Sequence, residues 1–407
     1  MVDLATVIER RRALSLIATG AAGLASAPLR AQSLVDLNLP GGGGRRPVTA
    51  DFPGKRAMIL QRTRAPLLET PMAAFDGNVF TPNDRFFVRW HYADIPTSID
   101  VAAFRLNILG AVKRPVGLSL GDLLAMPRVE LAAVNQCSGN SRGYFEPRVP
   151  GAQWGNGAIG NARWTGVRLK DVLDRAGIAD GAVQVRFSGL DTPPPDAPLF
   201  AKSLDLAHAM DGEVMIAFQM NGAQLPMLHG FPLRLVVPGW YSTYWVKALD
   251  RIEVLDAPDT GYWMEKAYRI PATPRASVAP GAAGFPTVPI NRMGPRSFIT
   301  NIADGARLAA QAPLDLRGLA MGGASGVARV DLSADGGTSW KTATLGPDQG
   351  RYGFRSWSAT VPGLAAGPHR LAVRCTSEAG EVQLPDPIWN PGGFMRNQIE
   401  TVTVTAA

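Results

Sequence analysis

The 407-residue chain has only two cysteines, Cys137 and Cys375. Two thiols make no disulfide framework, and without a CxxC pair or a CxxCH run the sequence offers no zinc site and no covalent c-type haem. Long apolar runs are missing as well, so no stretch reads as a membrane span. Charged residues make up only 18%, and the net charge of +7 is modest. Two of those charges come from Arg10, Arg11, Arg12 and Arg30 set against Asp3 and Glu9. Without lysine–arginine clusters interleaved with aromatics, nucleic-acid binding has little support. A balance of this kind suits a small anionic substrate or an acidic protein partner. Sustained helical periodicity is also rare.

Glycine (44), proline (33) and a 46% hydrophobic fraction are what the chain has in quantity. That composition describes a folded protein of many turns and short strands. The length is too great for one core and implies two domains. Residues 9–31, ERRRALSLIATGAAGLASAPLRA, place an arginine cluster before a short alanine-rich run and small residues suited to cleavage. The consecutive arginines predict twin-arginine export to the periplasm, with cleavage after Ala27 or Ala31. Residues 32–75, including GGGGRRP, read as a loop-like N-terminal arm.

From 76 to 270 short strands alternate with brief helices. FFVRWHY (86–92) alternates as a strand, while 119–126 and 168–177 read as helices, the second closed by Gly177. Residues 266–290, rich in proline, alanine and glycine, mark a boundary. Beyond it, runs at 298–302, 314–320, 327–333, 340–345, 355–361, 369–375 and 399–405 are strand-like, with a hairpin turning on Asp335-Gly336-Gly337. Seven short strands over this length predict an immunoglobulin-like sandwich at 271–407. The whole reads as α+β and loop-rich. Cys375, in HRLAVRC, should be an inert core residue.

Cys137 lies in NQCSGNSRGYFEPR (135–148), where backbone N–H groups and a guanidinium crowd the sulfur. Such surroundings suit a thiolate, which is a soft ligand for a transition metal. By itself the pattern supports a structural cysteine equally well. In FFVRWHY, Arg89 and His91 share a strand face with Phe87, a costly pair to bury unless it meets an anion or cofactor. In LHGFPLRLVVPGWYSTYWVK (228–247), His229, Arg234, Tyr241, Ser242 and Lys247 mass donors around a strand end. Massed donors fit a polyanionic, hydrogen-bond-rich ligand, although a solvated loop would look similar.

FFVRWH, CSGNSRG, GNARWTGVRLKDVL (160–173), MNGAQLPMLHGFPLRLVVPG (220–239) and VKALDRIEV together resemble the sulfite oxidase family of molybdenum enzymes. CSGNSRGYFEPR and PGWYSTYWVK are most similar to its bacterial sulfite dehydrogenase branch, which works with a cytochrome c. The resemblance implies that Cys137 binds molybdenum beside a pterin dithiolene, one metal per chain and no haem in this chain. It implies that Arg89 and Arg142 hold the sulfite anion and that Trp154 walls the pocket. His91, Asp191, His229, Arg234, Ser242 and Lys247 would grip the pterin and its phosphate. Phe218 stands where animal members carry a tyrosine, so the pocket tyrosine is expected to be Tyr241, bonded near Arg89. A c-type cytochrome would dock over the pocket mouth, in a homodimer or a heterodimer with the cytochrome. Two other activities share the fold: a sulfane dehydrogenase, whose motif lacks the arginine five residues after the cysteine, and a periplasmic methionine sulfoxide reductase, which generally lacks the C-terminal sandwich. A non-catalytic protein on a degenerate molybdenum fold is a third reading, disfavoured by Cys137, Arg89 and Arg142 occurring together.

Overall fold

In the N-terminal arm, expected to be loop-like, four short strands (Leu34–Asp36, Arg45–Thr49, Met58–Arg62 and Leu67–Glu69) join Val88–Arg89 in chain order into one sheet. The glycine run supplies the turn between the first two, with Gly41, Gly42 and Gly43 all at positive φ. Its strands are too short and too interrupted (Pro47 lies inside RRPVT) for alternation to show. The sheet still delivers Arg89 to the centre of the molecule, because Leu67 and Leu68 pair with Arg89 and Val88. The computed structural model describes residues 33–407; the predicted export segment lies outside them. No helix among the described residues is long and apolar enough to cross a membrane.

Two further sheets build the middle of the chain. One orders Ala201–Asp205, Gln184–Gly189, Leu249–Leu255, Leu106–Gly110 and Val116–Leu118, with Leu249–Leu255 running parallel to Leu106–Gly110. The other orders Ala223–Gln224, Met215–Met220, Ile159–Arg168 and Val129–Gln136, and Arg234–Val236 pairs with Met215–Met220. The last residue of Val129–Gln136 is followed directly by Cys137, so the cysteine leaves a strand end in the manner of many α/β ligand sites. The expected helices form at Leu120–Leu124, with a Ser119–Asp122 capping box, and at Leu169–Ala176. The second buries Leu169, Val172, Leu173 and Ala176, one helical stripe, and stops at Gly177 with φ +67°.

The C-terminal region is the expected two-sheet sandwich. Four strands (Arg296–Ile299, Leu314–Met321, Arg355–Val361, Thr344–Leu345) face five (Ala306–Leu308, Glu400–Ala406, Gly367–Ser377, Val327–Ser333, Lys341–Thr342). Strand at 37% against helix at 10% makes the protein a β-rich α+β fold. Cys375 is fully buried in the sandwich core, and burial pushes its thiol up to about 12, an inert state. The sandwich is not insulated from the rest: Phe298, Leu319, Met321, Phe354 and Phe394 belong to the same continuous core as Cys137 and Trp164.

Candidate active site

A cavity opens where the arm sheet, the Cys137 loop and the 226–247 segment converge. Cys137, Arg89, His91, His229, Arg234, Ser242 and Lys247, which the sequence singles out, all line it, together with Phe87, Asn135, Ser138, Phe200, Thr243, Trp245 and Tyr268. Alternation along residues 86–91 sends Phe87, Arg89 and His91 to the cavity, with Val88 also on its wall, while Phe86 and Trp90 are buried in the core. Only Val88–Arg89 is regular strand.

The cysteine loop is pinned from both sides. Cys137 donates its N–H to Ala158 O at 2.9 Å, and Asn140 donates back to Cys137 O at 2.9 Å. Arg142 threads its guanidinium over Gly139, where a Cβ would lie 2.4 Å from Nη2, so residue 139 cannot carry a side chain without displacing Arg142. Arg142 Nε donates to Gly392 O at 3.1 Å and Nη1 to Ala152 O at 3.3 Å, with Phe394 beneath it at 5.2 Å. Behind the loop, Arg296 Nη2 donates to Ser141 Oγ at 2.9 Å and pairs with Glu400 at 2.5 Å.

The cavity is rich in positive charge. Lys247 Nζ donates to Arg89 O at 2.8 Å over the Trp90 ring, and burial, then Arg234, pulls its ammonium down to about 7. Arg234 lies over Trp164 and Trp245, and burial pulls it down to about 9, so it stays charged at neutral pH. Burial, then the charge of Arg89, holds His91 well below its usual value; burial, then Lys55, does the same for His229, so both imidazoles are neutral. Burial raises the Tyr268 phenol, with Arg89 as the main opposing charge, and Arg89 sits 6.0 Å from the centre of its ring.

Four expected residues stand outside the lining. Trp154 is buried in the core and supports the cysteine loop through its carbonyl, which accepts from Gly143 N at 3.0 Å; Phe87, Phe200 and Trp245 wall the cavity instead. Tyr241 is fully buried behind the loop, facing Gln136 and Arg296. The tyrosine beside Arg89 is Tyr268, because the short helical turn Ser242–Tyr244 carries residue 241 away while the chain returns at 268. Asp191 is buried outside the lining, where its charge faces Lys247 and Arg89. Arg142 lies just outside the lining, beside the cysteine loop.

Residues 92–263 match the family model "Oxidoreductase molybdopterin binding domain", and residues 287–407 match "Mo-co oxidoreductase dimerisation domain". The chain is 35% identical over 373 residues to the mitochondrial sulfite oxidase of Homo sapiens, covering 87% of this chain and 67% of that protein. To the sulfite oxidase of Gallus gallus it is 33% identical over 368 residues, covering 86% and 78%. The chain belongs to the sulfite oxidase family. Its fold is also similar to the crystal structure of the sulfane dehydrogenase SoxCD from Paracoccus pantotrophus, with a TM-score of 0.70 at 27% identity over 84% of each chain.

The cavity fits the molybdenum–pterin group of that family. Five buried polar atoms of its lining residues, Arg89 Nη1, Asn135 Nδ2, Ser138 Oγ, Arg234 Nε and Thr243 Oγ1, have no partner among the described residues. Leaving such atoms unpaired costs about 1–3 kcal/mol each, so the site is complementary to an acceptor-rich ligand. Among the described residues no group of three or more His, Cys, Asp or Glu side chains could hold a metal. A metal on Cys137 must therefore take its other ligands from a non-protein group, as a pterin dithiolene provides. Cys137 would bind the metal, while His229, Arg234, Ser242 and Lys247 would hold the pterin and its phosphate.

The residues that sequence reasoning missed share a cause. Tyr268 stands in a stretch read as a boundary, Phe200 in a proline-rich loop, and Asn135 two residues before Cys137 with no periodicity of its own. Only the folded backbone brings them together.

Proposed function

We propose that the chain oxidises sulfite to sulfate at a molybdenum–pterin centre on Cys137 and delivers the electrons singly to a periplasmic c-type cytochrome. The observation that carries the reading is the unpaired Arg89 Nη1 in a cavity that also holds Cys137 and Tyr268, in a chain 35% identical to human sulfite oxidase. When bound, the molybdenum–pterin group supplies oxygen-atom transfer and a two-electron store. The protein's part is to bind and orient the anion. Arginine stays charged and offers a planar fork to a trigonal oxyanion. Arg89 is placed to take the substrate directly, and the fixed charge of Arg142 supports it from beside the cysteine loop. Being in place before the reaction, these charges need no reorganisation as negative charge redistributes toward sulfate. The Tyr268 hydroxyl is protonated at neutral pH and is oriented by His91 at 2.8 Å.

The acceptor and compartment rest on sequence features. The chain has no CxxCH motif of its own, its start carries consecutive arginines, and it resembles a branch that works with cytochrome c. The cytochrome would dock at the cavity mouth, in a homodimer or a cytochrome-bearing heterodimer. The test is sulfite-dependent reduction of cytochrome c by periplasmically exported protein, with molybdenum measured in the same sample. Full metal loading with no response to sulfite would reject sulfite and move the substrate to sulfane sulfur or a sulfoxide.

A further inference from the structure

Lys55 comes from the arm, between Arg45–Thr49 and Met58–Arg62, and lies outside both family matches. It is only 8% exposed, yet its ammonium reaches the wall of the cavity. Nζ sits 2.7 Å from Asn83 O, 2.7 Å from Phe86 O and 2.6 Å from His229 Nε2. An ammonium has three N–H donors and no acceptor. Two of the three partners are carbonyl oxygens, which can only accept.

We propose that Lys55 is a positioning residue: its ammonium donates to His229 Nε2, which fixes the imidazole as the Nδ1–H tautomer and makes His229 a hydrogen-bond donor toward the anionic end of the pterin group. The neutral ring carries a single proton, and a donor at Nε2 leaves that proton only Nδ1. Among the described residues, Lys55 is the one side chain that hydrogen-bonds the His229 ring; the Asn83 carbonyl, which accepts from Lys55, stands beside the same ring, and the ring lines the cavity with Arg234 and Lys247. A phosphate offers acceptors only, so an imidazole presenting N–H is matched to it, whereas one presenting a lone pair would repel it. Burial pulls Lys55 down to about 7 while Asp84 pushes it back up. An anion in the cavity adds to the influence of Asp84 and keeps the ammonium charged. The packing of Phe86 edge-on against the ring, centroids 5.4 Å apart, holds the imidazole in place for this contact.

The proposal rests on the assignment of this cavity to the pterin group, and its test separates the two. The chain has four histidines, so selective ¹⁵N-histidine labelling gives a spectrum of four rings. The His229 signal is assigned by its loss in His229→Gln. In the oxidised holoenzyme at neutral pH, long-range ¹H–¹⁵N correlations should show His229 protonated at Nδ1. Protonation at Nε2 would overturn the proposal, because a neutral Lys55 would then be accepting from the ring. This readout uses the wild-type chain and needs no variant to fold. In Lys55→Met and Lys55→Gln the ring should lose its single tautomer, and pterin and molybdenum should leave the protein on the order of tenfold faster during repeated desalting. Unchanged tautomer and unchanged retention in a folded Lys55→Met variant would also overturn it. A wild-type protein that holds no pterin would defeat the cofactor assignment and leave the tautomer to be decided by the spectrum alone.

Discussion

His91 Nε2 lies 2.8 Å from the hydroxyl of Tyr268, across 177 residues of sequence, and the imidazole stacks on Phe200 with ring centres 3.6 Å apart. The stack fixes the ring and the ring fixes the phenol, so the one tyrosine beside Arg89 has a defined hydroxyl direction. Tyr268→Phe should therefore lower kcat/KM for sulfite by tenfold or more, the scale of a lost hydrogen bond to a charged group. Tyr241→Phe, outside the cavity lining, should stay within about threefold. Steady-state kinetics of the two variants with equal molybdenum content decides it; the reverse order would return the role to Tyr241.

Arg89→Gln should raise the KM for sulfite by roughly 10- to 100-fold while the metal content stays near that of wild type. Arg142→Gln should raise KM as well, but should also loosen the cysteine loop, since Arg142 ties that loop to the carbonyls of Ala152 and Gly392. Thermal melts alongside metal analysis separate these effects. Equal metal loss in both variants would remove Arg89 from the substrate role.

Cys137→Ser should abolish molybdenum binding and sulfite activity while leaving the fold intact. The loop is held by backbone bonds and by Arg296, not by the thiol. Metal analysis with far-UV circular dichroism checks this, and a variant that kept its full metal would sink the ligand assignment.

The arginines and histidines at the cavity were legible because Phe87, Arg89 and His91 follow a period of two, and because His229, Arg234 and Lys247 crowd one short strand. The sandwich was legible for the same reason, down to Val327–Ser333 and Arg355–Val361 at their predicted ends. Tyr268 was not, since an isolated tyrosine in a proline-rich stretch carries no periodicity. Lys55 was hidden likewise: a lone lysine in an arm of short strands shows its purpose only once residues 55 and 229 meet.

Burial pulls Lys55, Lys202 and Lys247 each down to about 7, whereas a lysine in the unfolded chain titrates near 10.4. Between those values the unfolded chain binds more protons, so the stability of the cofactor-free protein should rise as pH rises from about 7. Below that pH both states are protonated and the penalty is constant. Above about 8.5 the buried Cys375 thiol, raised in the folded state, works in the opposite direction. Melting temperatures of cofactor-free protein at pH 6.5, 7.5 and 8.5 should climb, and those of the loaded protein should climb less. A cofactor-free protein that loses stability over this range would contradict the lowering of these three lysines by burial.

Glu400 carries two guanidinium groups, Arg296 at 2.5 Å and Arg396 at 2.6 Å, all three residues buried. Glu400→Gln should cost about 3–5 kcal/mol in denaturant unfolding, because it strands buried positive charge. A loss below about 1 kcal/mol would show that the network is solvated.

The pairing of Arg89 with Tyr268 also bears on how the chain can be divided. A fragment cut to residues 92–263 would match the molybdopterin family model in full and keep Cys137, yet it would lack Lys55 and Arg89 on one side and Tyr268 on the other. Arg89 and Tyr268 lie just beyond the borders that similarity draws, so grafting that segment between relatives would move Cys137 and much of the cavity wall while leaving these two positions to the host chain.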